Sequence, residues 1–301
     1  MTHQPVLSIL IPAYEYSFGV KRILDSIYQT INLDPKVSLE CIVSDDSSTE
    51  EVMIMIQGHD IYRHESFKYF RRDKSQGAAD NWNFLLNIAS GKYIHFMHHD
   101  EFPESFNFFG NLVNDLEGES SFDVLFLRCY VSTFINNRFR PLVSSIIRKI
   151  YFLSPEALFL RNTVGSPSCI VIKRERVLKF DRRLRWIVDL EWYYRILKQE
   201  FIITKFSKLS YISVHRKESI SSEIKSKVDD INNFERQLIK NDYAAKFLDL
   251  RKDSSKLWYK IFMLLEGMFW YGSKFIYYPL GVIFGKTVKS SLIEESKYDH
   301  K

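Results

Sequence analysis

Hydrophobic and polar positions fall in short blocks along the first hundred residues, and their period switches from block to block. "VLSILI" (6–11) is an unbroken apolar run closed by Pro12, the pattern of a strand buried on both faces. "SFGVKRILDSIYQTI" (17–31) spaces its apolar residues three and four apart, which predicts a helix. "LECIVS" (39–44) reads as a second strand, ended by Asp45-Asp46-Ser47-Ser48, and "SFKYFRR" (66–72) as a third. "AADNWNFLLNIAS" (78–90) has helical spacing and stops at Gly91, and "KYIHFM" (92–97) is a central strand. This alternation predicts an α/β fold: a parallel sheet flanked by helices.

The second half is more mixed. "FDVLFLRCYVSTFI" (122–135) and "SCIVIKR" (168–174) read as strands, and "DLEWYYRILKQ" (189–199) as an amphipathic helix. Residues 221–256 are charged with helical spacing. Residues 257–285 are strongly apolar and aromatic, but Lys260, Glu266, Lys274 and Pro279 interrupt them. No run of roughly 18 apolar residues remains to span a membrane. Two readings stay open for this stretch: a helix lying in a membrane interface, or a packed helical hairpin.

In parallel sheets ligands bind beyond the carboxyl ends of the strands. Three predicted strands end in polar clusters: Ala13-Tyr14-Glu15, Asp45-Asp46-Ser47 and His98-His99-Asp100-Glu101. All three are expected on one rim. A strand-end aspartate such as Asp46 suits a nucleobase N–H or a ribose hydroxyl; the alternative is that Asp45 or Asp46 caps the helix that follows. Asp100 is the leading candidate for a metal ligand. By strand alternation His98 shares its side, while Glu101 points with His99. The alternatives for this cluster are a polar rim and a zinc site, the latter disfavoured because adjacent histidines make poor co-ligands of one ion. Further along, Asp189 and Glu191 open a helix beside Trp186, Trp192, Tyr193 and Tyr194. A carboxylate against such a wall can act as a general base; helix-start acids are also common without any chemistry.

Composition narrows the partners. The chain has 301 residues, 46% hydrophobic and 26% charged, enough for a large core. A net charge of +5 suits an anionic substrate or an anionic membrane face, and no basic block argues for nucleic acid. Cys41, Cys129 and Cys169 lack metal-ligand spacing and read as free thiols in a reducing compartment. "MTHQPVLSILIPAYE" has no signal-peptide pattern, so a cytoplasmic protein is expected. Neither G-x-x-x-x-G-K-[ST] nor G-x-G-x-x-G follows the first strand, which argues against a P-loop enzyme or a dinucleotide dehydrogenase. A nucleotidyltransferase is disfavoured too, because "PAYEYSFG" is not a Gly-rich basic loop.

Taken in order, five segments carry a resemblance. "LSILIPAYEY", "CIVSDDSSTE", "GAADNWNFLLNIASGKYIHFMHHDE", "GSPSCIVIKRERVLKFDRRLRWIVDLEWYYRIL" and "YISVHRKESIS" are similar to the successive motifs of the family 2 inverting glycosyltransferases, over roughly 5–222. Ser47 stands where the family's Asp-Asp-Gly motif has Gly, and His98 where its D-x-D motif begins. The resemblance implies a GT-A fold, a Rossmann-like and mostly parallel sheet, with a nucleotide-sugar half (1–101), an acceptor half (102–222) and a helical C-terminal region (223–301). It implies that Pro12, Tyr14, Glu15 and Asp46 border the donor nucleotide. Asn83, Arg72, His98, His99 and His215 belong to the donor side in the same reading. It implies that Asp100 binds Mn²⁺ or Mg²⁺, that Asp189 is the catalytic base, and that Trp186, Glu191 and Trp192 lie on the acceptor side. The implied reaction moves a sugar from a nucleotide-diphosphate donor, a UDP-sugar foremost, to a glycan hydroxyl. The acceptor is expected to be lipid-linked, in bacterial O-antigen or capsule synthesis, with 257–285 touching the membrane. The alternative is an inactive sugar-nucleotide-binding homologue or partner subunit, because His98 replaces an acid.

Overall fold

The structure is a computed structural model, described here over residues 4–118, 122–132, 139–141, 155–159, 162–213 and 228–243. His215 and the segment 257–285 lie outside the described residues. Strand β1 (Leu7–Ala13) is buried along its whole length, as an unbroken apolar run requires in the centre of a covered sheet. Helix α1 (Ser17–Leu33) returns the chain to β2 (Leu39–Asp45), followed by α2 (Glu51–Gln57), β3 (Phe67–Arg71), α3 (Ala78–Ile88) and β4 (Tyr93–Phe96). These four strands lie parallel in the order β3-β2-β1-β4. Every carboxyl end therefore faces the same edge, and the three polar clusters do share a rim.

The second half adds β5 (Glu101–Pro103), α4 (Phe108–Gly118), β6 (Val124–Ser132), β7 (Phe139–Pro141), β8 (Ile170–Lys173), α5 (Val188–Leu197), β9 (Thr204–Ser213) and α6 (Val228–Tyr243). It extends the sheet as β4-β8-β6-β9-β5, with β7 on β6. The β4–β8, β6–β8 and β5–β9 pairs are antiparallel and β6–β9 is parallel. The sheet is thus parallel where the first three clusters sit and mixed beyond β4. Short β5 follows β4 by way of residues 97–100 and pairs antiparallel with β9 at the far end of the strand order.

An aromatic core joins the halves. Trp192 stacks on Phe180 at 4.2 Å between ring centres, and both meet Phe96 edge-on. Cys41, Cys129 and Cys169 are free and buried. Among the described residues no helix is long and apolar enough to cross a membrane.

Candidate active site

The rim begins where β1 and β2 end. Glu15 has a left-handed backbone (φ 52°), an uncommon conformation for a non-glycine residue. Local bonds hold it there. Its N–H donates to Ser47 Oγ at 2.8 Å. Its carboxylate accepts from the Ser48 N–H and hydroxyl at 2.7 and 2.5 Å and from the Thr49 hydroxyl at 2.7 Å. The Ser48 hydroxyl foremost, with Thr49 and the backbone, holds the Glu15 carboxyl below the usual glutamate range. Glu15 is therefore the clip that shapes the Asp46–Thr49 turn, and Tyr14 beside it is half-exposed.

Neither aspartate of the pair caps α2, whose first-turn boundary at Glu50 has no side-chain cap. Asp45 accepts the Ser47 N–H at 3.0 Å and the Tyr69 hydroxyl at 2.8 Å, wholly buried. Asp46 accepts the Ser75 hydroxyl at 2.7 Å and the Gln76 and Gly77 N–H groups at 3.3 Å each. The 75–77 loop thus folds onto Asp46. Beside it Phe70, Arg71, Arg72, Asp73, Lys74, Gln76 and Phe84 line an open cleft of about 480 Å³. Arg72 lies over the Phe84 ring, 4.3 Å from its centre. An aromatic and basic cleft next to an acceptor carboxylate is suited to a base and its phosphates.

Beyond β4 the chain does not continue as a strand. The Glu101 N–H bonds the His98 carbonyl at 3.0 Å, closing a turn over His99 and Asp100. This turn overturns the expectation that Glu101 points with His99. Strand alternation applies only through Phe96, and the turn brings His98, Asp100 and Glu101 together while His99 swings to the Pro12 carbonyl at 3.2 Å. The ligand-capable atoms of His98, Asp100 and Glu101 all lie within 4.8 Å of one another. Atoms on one divalent ion sit at most about 4–5 Å apart. His98 Nε2 and Glu101 Oε2 are both buried without a hydrogen-bond partner, a costly state that a cation would relieve. Burial pushes the His98 imidazole down to about 4, against the pull of Asp100, so it is neutral and able to ligate. Burial, with Asp100 beside it, pushes the Glu101 carboxyl well above the usual range. These donors fit a divalent cation.

The loop 162–168 joins this cluster to α5. The Ser168 hydroxyl accepts the His98 N–H at 3.0 Å, and the Ser166 hydroxyl donates to Glu101 Oε1 at 2.5 Å. Asn162 Nδ2 donates to Asp189 Oδ2 at 2.9 Å and also to the Gly165 carbonyl, which accepts the Tyr193 hydroxyl at 3.1 Å. Asn162, Gly165, Ser166 and Ser168 of this loop therefore bond between them to both the His98–Asp100–Glu101 cluster and the α5 residues Asp189 and Tyr193. Burial pushes the Asp189 carboxyl up to about 7, opposed by the Leu190 N–H and by Asn162 and reinforced by Glu235. That is the range a general base needs near neutral pH.

Three expected side chains are placed in the packing instead. Asn83 is buried, and its amide makes a reciprocal pair with the Phe180 backbone at 2.8 and 2.9 Å. Glu191 is buried against Arg195, one turn along α5. Trp192 has no exposed surface, and its indole N–H donates to the Leu178 carbonyl at 2.6 Å. Glu191 and Asp189 are two apart on a helix, hence on different faces, so at most one meets the rim. Trp186 is only partly buried, beside the start of α5. Sequence reasoning missed Asn162, Ser166 and Ser168; "RNTVGSPSC" does carry the Asn, Gly and Pro signals of an ordered turn.

A parallel half-sheet with acidic strand ends is thus joined to a mixed half that carries a further carboxylate, Asp189. The chain belongs to glycosyl transferase family 2, whose family model matches residues 8–179. It is 23% identical over 259 residues to an uncharacterized glycosyltransferase of Haemophilus influenzae, covering 81% of each chain. It is 32% identical to an Escherichia coli chondroitin synthase over 101 residues, 33% of this chain but 14% of that one. Among solved structures, S. aureus TarS 1-349 in complex with UDP-GlcNAc superposes with a TM-score of 0.55 at 17% identity. That likeness covers 71% of this chain and 59% of the other, and it shows the fold. The family match ends before Asp189 and before α6.

Proposed function

We infer that the protein is a metal-dependent inverting glycosyltransferase. It moves a sugar from a nucleotide-diphosphate sugar, a UDP-sugar foremost, to a hydroxyl of a glycan acceptor. The observation that carries this reading is the 162–168 loop. It ties a carboxyl poised near neutrality, Asp189, to a compact His98–Asp100–Glu101 donor set. A base and a diphosphate holder on one rigid frame are what single displacement at an anomeric carbon requires. The UDP-GlcNAc bound by TarS and the polysaccharide product named for chondroitin synthase support the donor class and a role in bacterial surface polysaccharide.

In this mechanism Pro12, Tyr14 and Asp46 border the base, with Arg71, Arg72 and Lys74 in the adjoining cleft toward the phosphates. His98, Asp100 and Glu101 would hold Mn²⁺ or Mg²⁺, which when bound neutralises charge on the leaving diphosphate. Asp189 takes the proton of the acceptor hydroxyl as its oxygen bonds the anomeric carbon, and the bond to the diphosphate breaks on the opposite face. Asn162 holds Asp189 Oδ2 and the Leu190 N–H holds Oδ1, which together fix the orientation of the carboxyl that takes the proton. A lipid-linked acceptor at the inner membrane face is consistent with the +5 charge and the aromatic 257–285 sequence.

Asp189→Asn tests the assignment. Transfer falls by 10²-fold or more while donor affinity, read by calorimetry, stays within about twofold. Lost donor binding in that variant would assign Asp189 to the donor instead.

A further inference from the structure

Helix α6 lies beyond the residues matched by the family model, yet it reaches the catalytic frame through one face. Glu235, Ile239 and Asp242 stand four and three residues apart, so they share that face. Ile239 is fully buried. Asp242 pairs with Arg183 at 2.5 Å, and Arg183 also pairs with Asp181. Glu235 is 2% exposed. Its carboxylate accepts three consecutive backbone N–H groups, from Arg185 at 2.6 Å, from Trp186 at 3.0 and 3.2 Å and from Ile187 at 3.0 Å. Those amides immediately precede α5, and Asp189 follows Ile187 by two residues.

Bridging water or a neutral side chain could satisfy three amides without a buried carboxylate, which is costly to desolvate. A carboxylate at this point does something a neutral group cannot: its charge acts on Asp189 through a poorly solvated interior. Resting on the reading of Asp189 as the base, we propose that Glu235 is a positioning residue for it. Glu235 anchors the strap 185–187 that aims Asp189 and places a negative charge behind it, so that α6 is part of the catalytic frame. The other groups facing Asp189 are Asn162 from the 162–168 loop and the Tyr193 hydroxyl from α5 itself. On the strap and α6, Arg183 is taken up by Asp181 and Asp242. Glu235 opposes Asn162: one favours the protonated base and the other the ionised one.

The test follows Asp189 directly. The full chain is labelled with ¹³Cγ-aspartate, its Asp189 signal is assigned by its absence in Asp189→Asn, and its titration midpoint is compared with that of Glu235→Gln. Amide exchange at 185–187 is read in parallel. The glutamine variant should lower the midpoint by about half a pH unit or more, and the acidic limb of donor turnover should move with it. A folded Glu235→Gln with an unchanged midpoint overturns the proposal, because a merely structural anchor would alter exchange alone. Should that variant fail to fold, Glu235→Asp decides. It keeps the charge but withdraws it by one methylene, so faster exchange at 185–187 with reduced kcat at similar KM supports the proposal. Unchanged exchange and kcat overturn it. Sugar transfer by Asp189→Asn would instead end the base assignment and leave the measured effect of Glu235 on Asp189 standing.

Discussion

At the scale of single residues, Asp189 is in an unfavourable place for a charge. Its carboxyl is raised from the usual aspartate value to about 7, so the folded protein binds a proton there that the unfolded chain releases near pH 4. The sign of the linkage follows. Stability from this group is fully present below about pH 4, declines as the pH rises toward 7, and is flat above it. Asp189→Asn, which cannot ionise, should therefore be more stable than the parent at pH 8, by about 2 kcal/mol after allowance for the partial exposure of the site. The advantage should shrink toward zero at pH 4. Urea unfolding at both pH values measures it, and an asparagine variant equally destabilised at pH 4 and pH 8 would contradict the raised proton affinity. The aromatic neighbours left two readings of Asp189 open, the family resemblance singled it out, and neither contained the partners that tune it. Asn162 and Glu235 lie 27 and 46 residues from Asp189 along the chain, and no local pattern connects them to it.

At the scale of elements, the rim depends on how closely α1 approaches it. A Cβ on Gly19 would lie 1.9 Å from the His99 backbone oxygen and 2.4 Å from the Tyr16 ring. The carbonyl belongs to the turn that gathers His98, Asp100 and Glu101, so it cannot yield without moving that cluster. Gly19→Ala, a favourable change in an ordinary helix, should here destabilise the fold by about 1–3 kcal/mol and weaken metal-dependent donor binding. A variant as stable as the parent would mean that α1 and the turn are not in contact. Strands β1 to β4 and helices α1, α3 and α5 were legible because each has a sustained period or an unbroken apolar run. Helix α2 is seven residues long and β9 alternates exposed and buried positions irregularly, so neither offers a strong period. Strand alternation ends with β4 at Phe96, and a turn has no two-residue period, so alternation puts Glu101 on the wrong side.

At the scale of the whole molecule, two halves with different strand directions meet at β4 and β8. The candidate site draws on both: Asp46, His98 and Asp100 come from the parallel half, and Glu101 at the start of β5 and Asp189 from the mixed half. The parallel half could be read almost entirely from sequence, because βαβ units bury their strands on both faces and announce it. The mixed half is held by contacts between residues far apart in the chain, such as Asn83 with Phe180 and Glu101 with Ser166, which local patterns do not contain. One measurement tests the joint site most directly: thermal unfolding of the full chain with UDP-, GDP-, CMP- and dTDP-sugars, each with and without Mn²⁺. A ligand that binds only the folded state raises the melting temperature by mass action. The prediction is a rise with UDP-sugars that requires Mn²⁺ and disappears in Asp100→Ala. Equal rises with and without the ion, or a rise that survives in Asp100→Ala, would contradict a metal-dependent donor site at the end of β4.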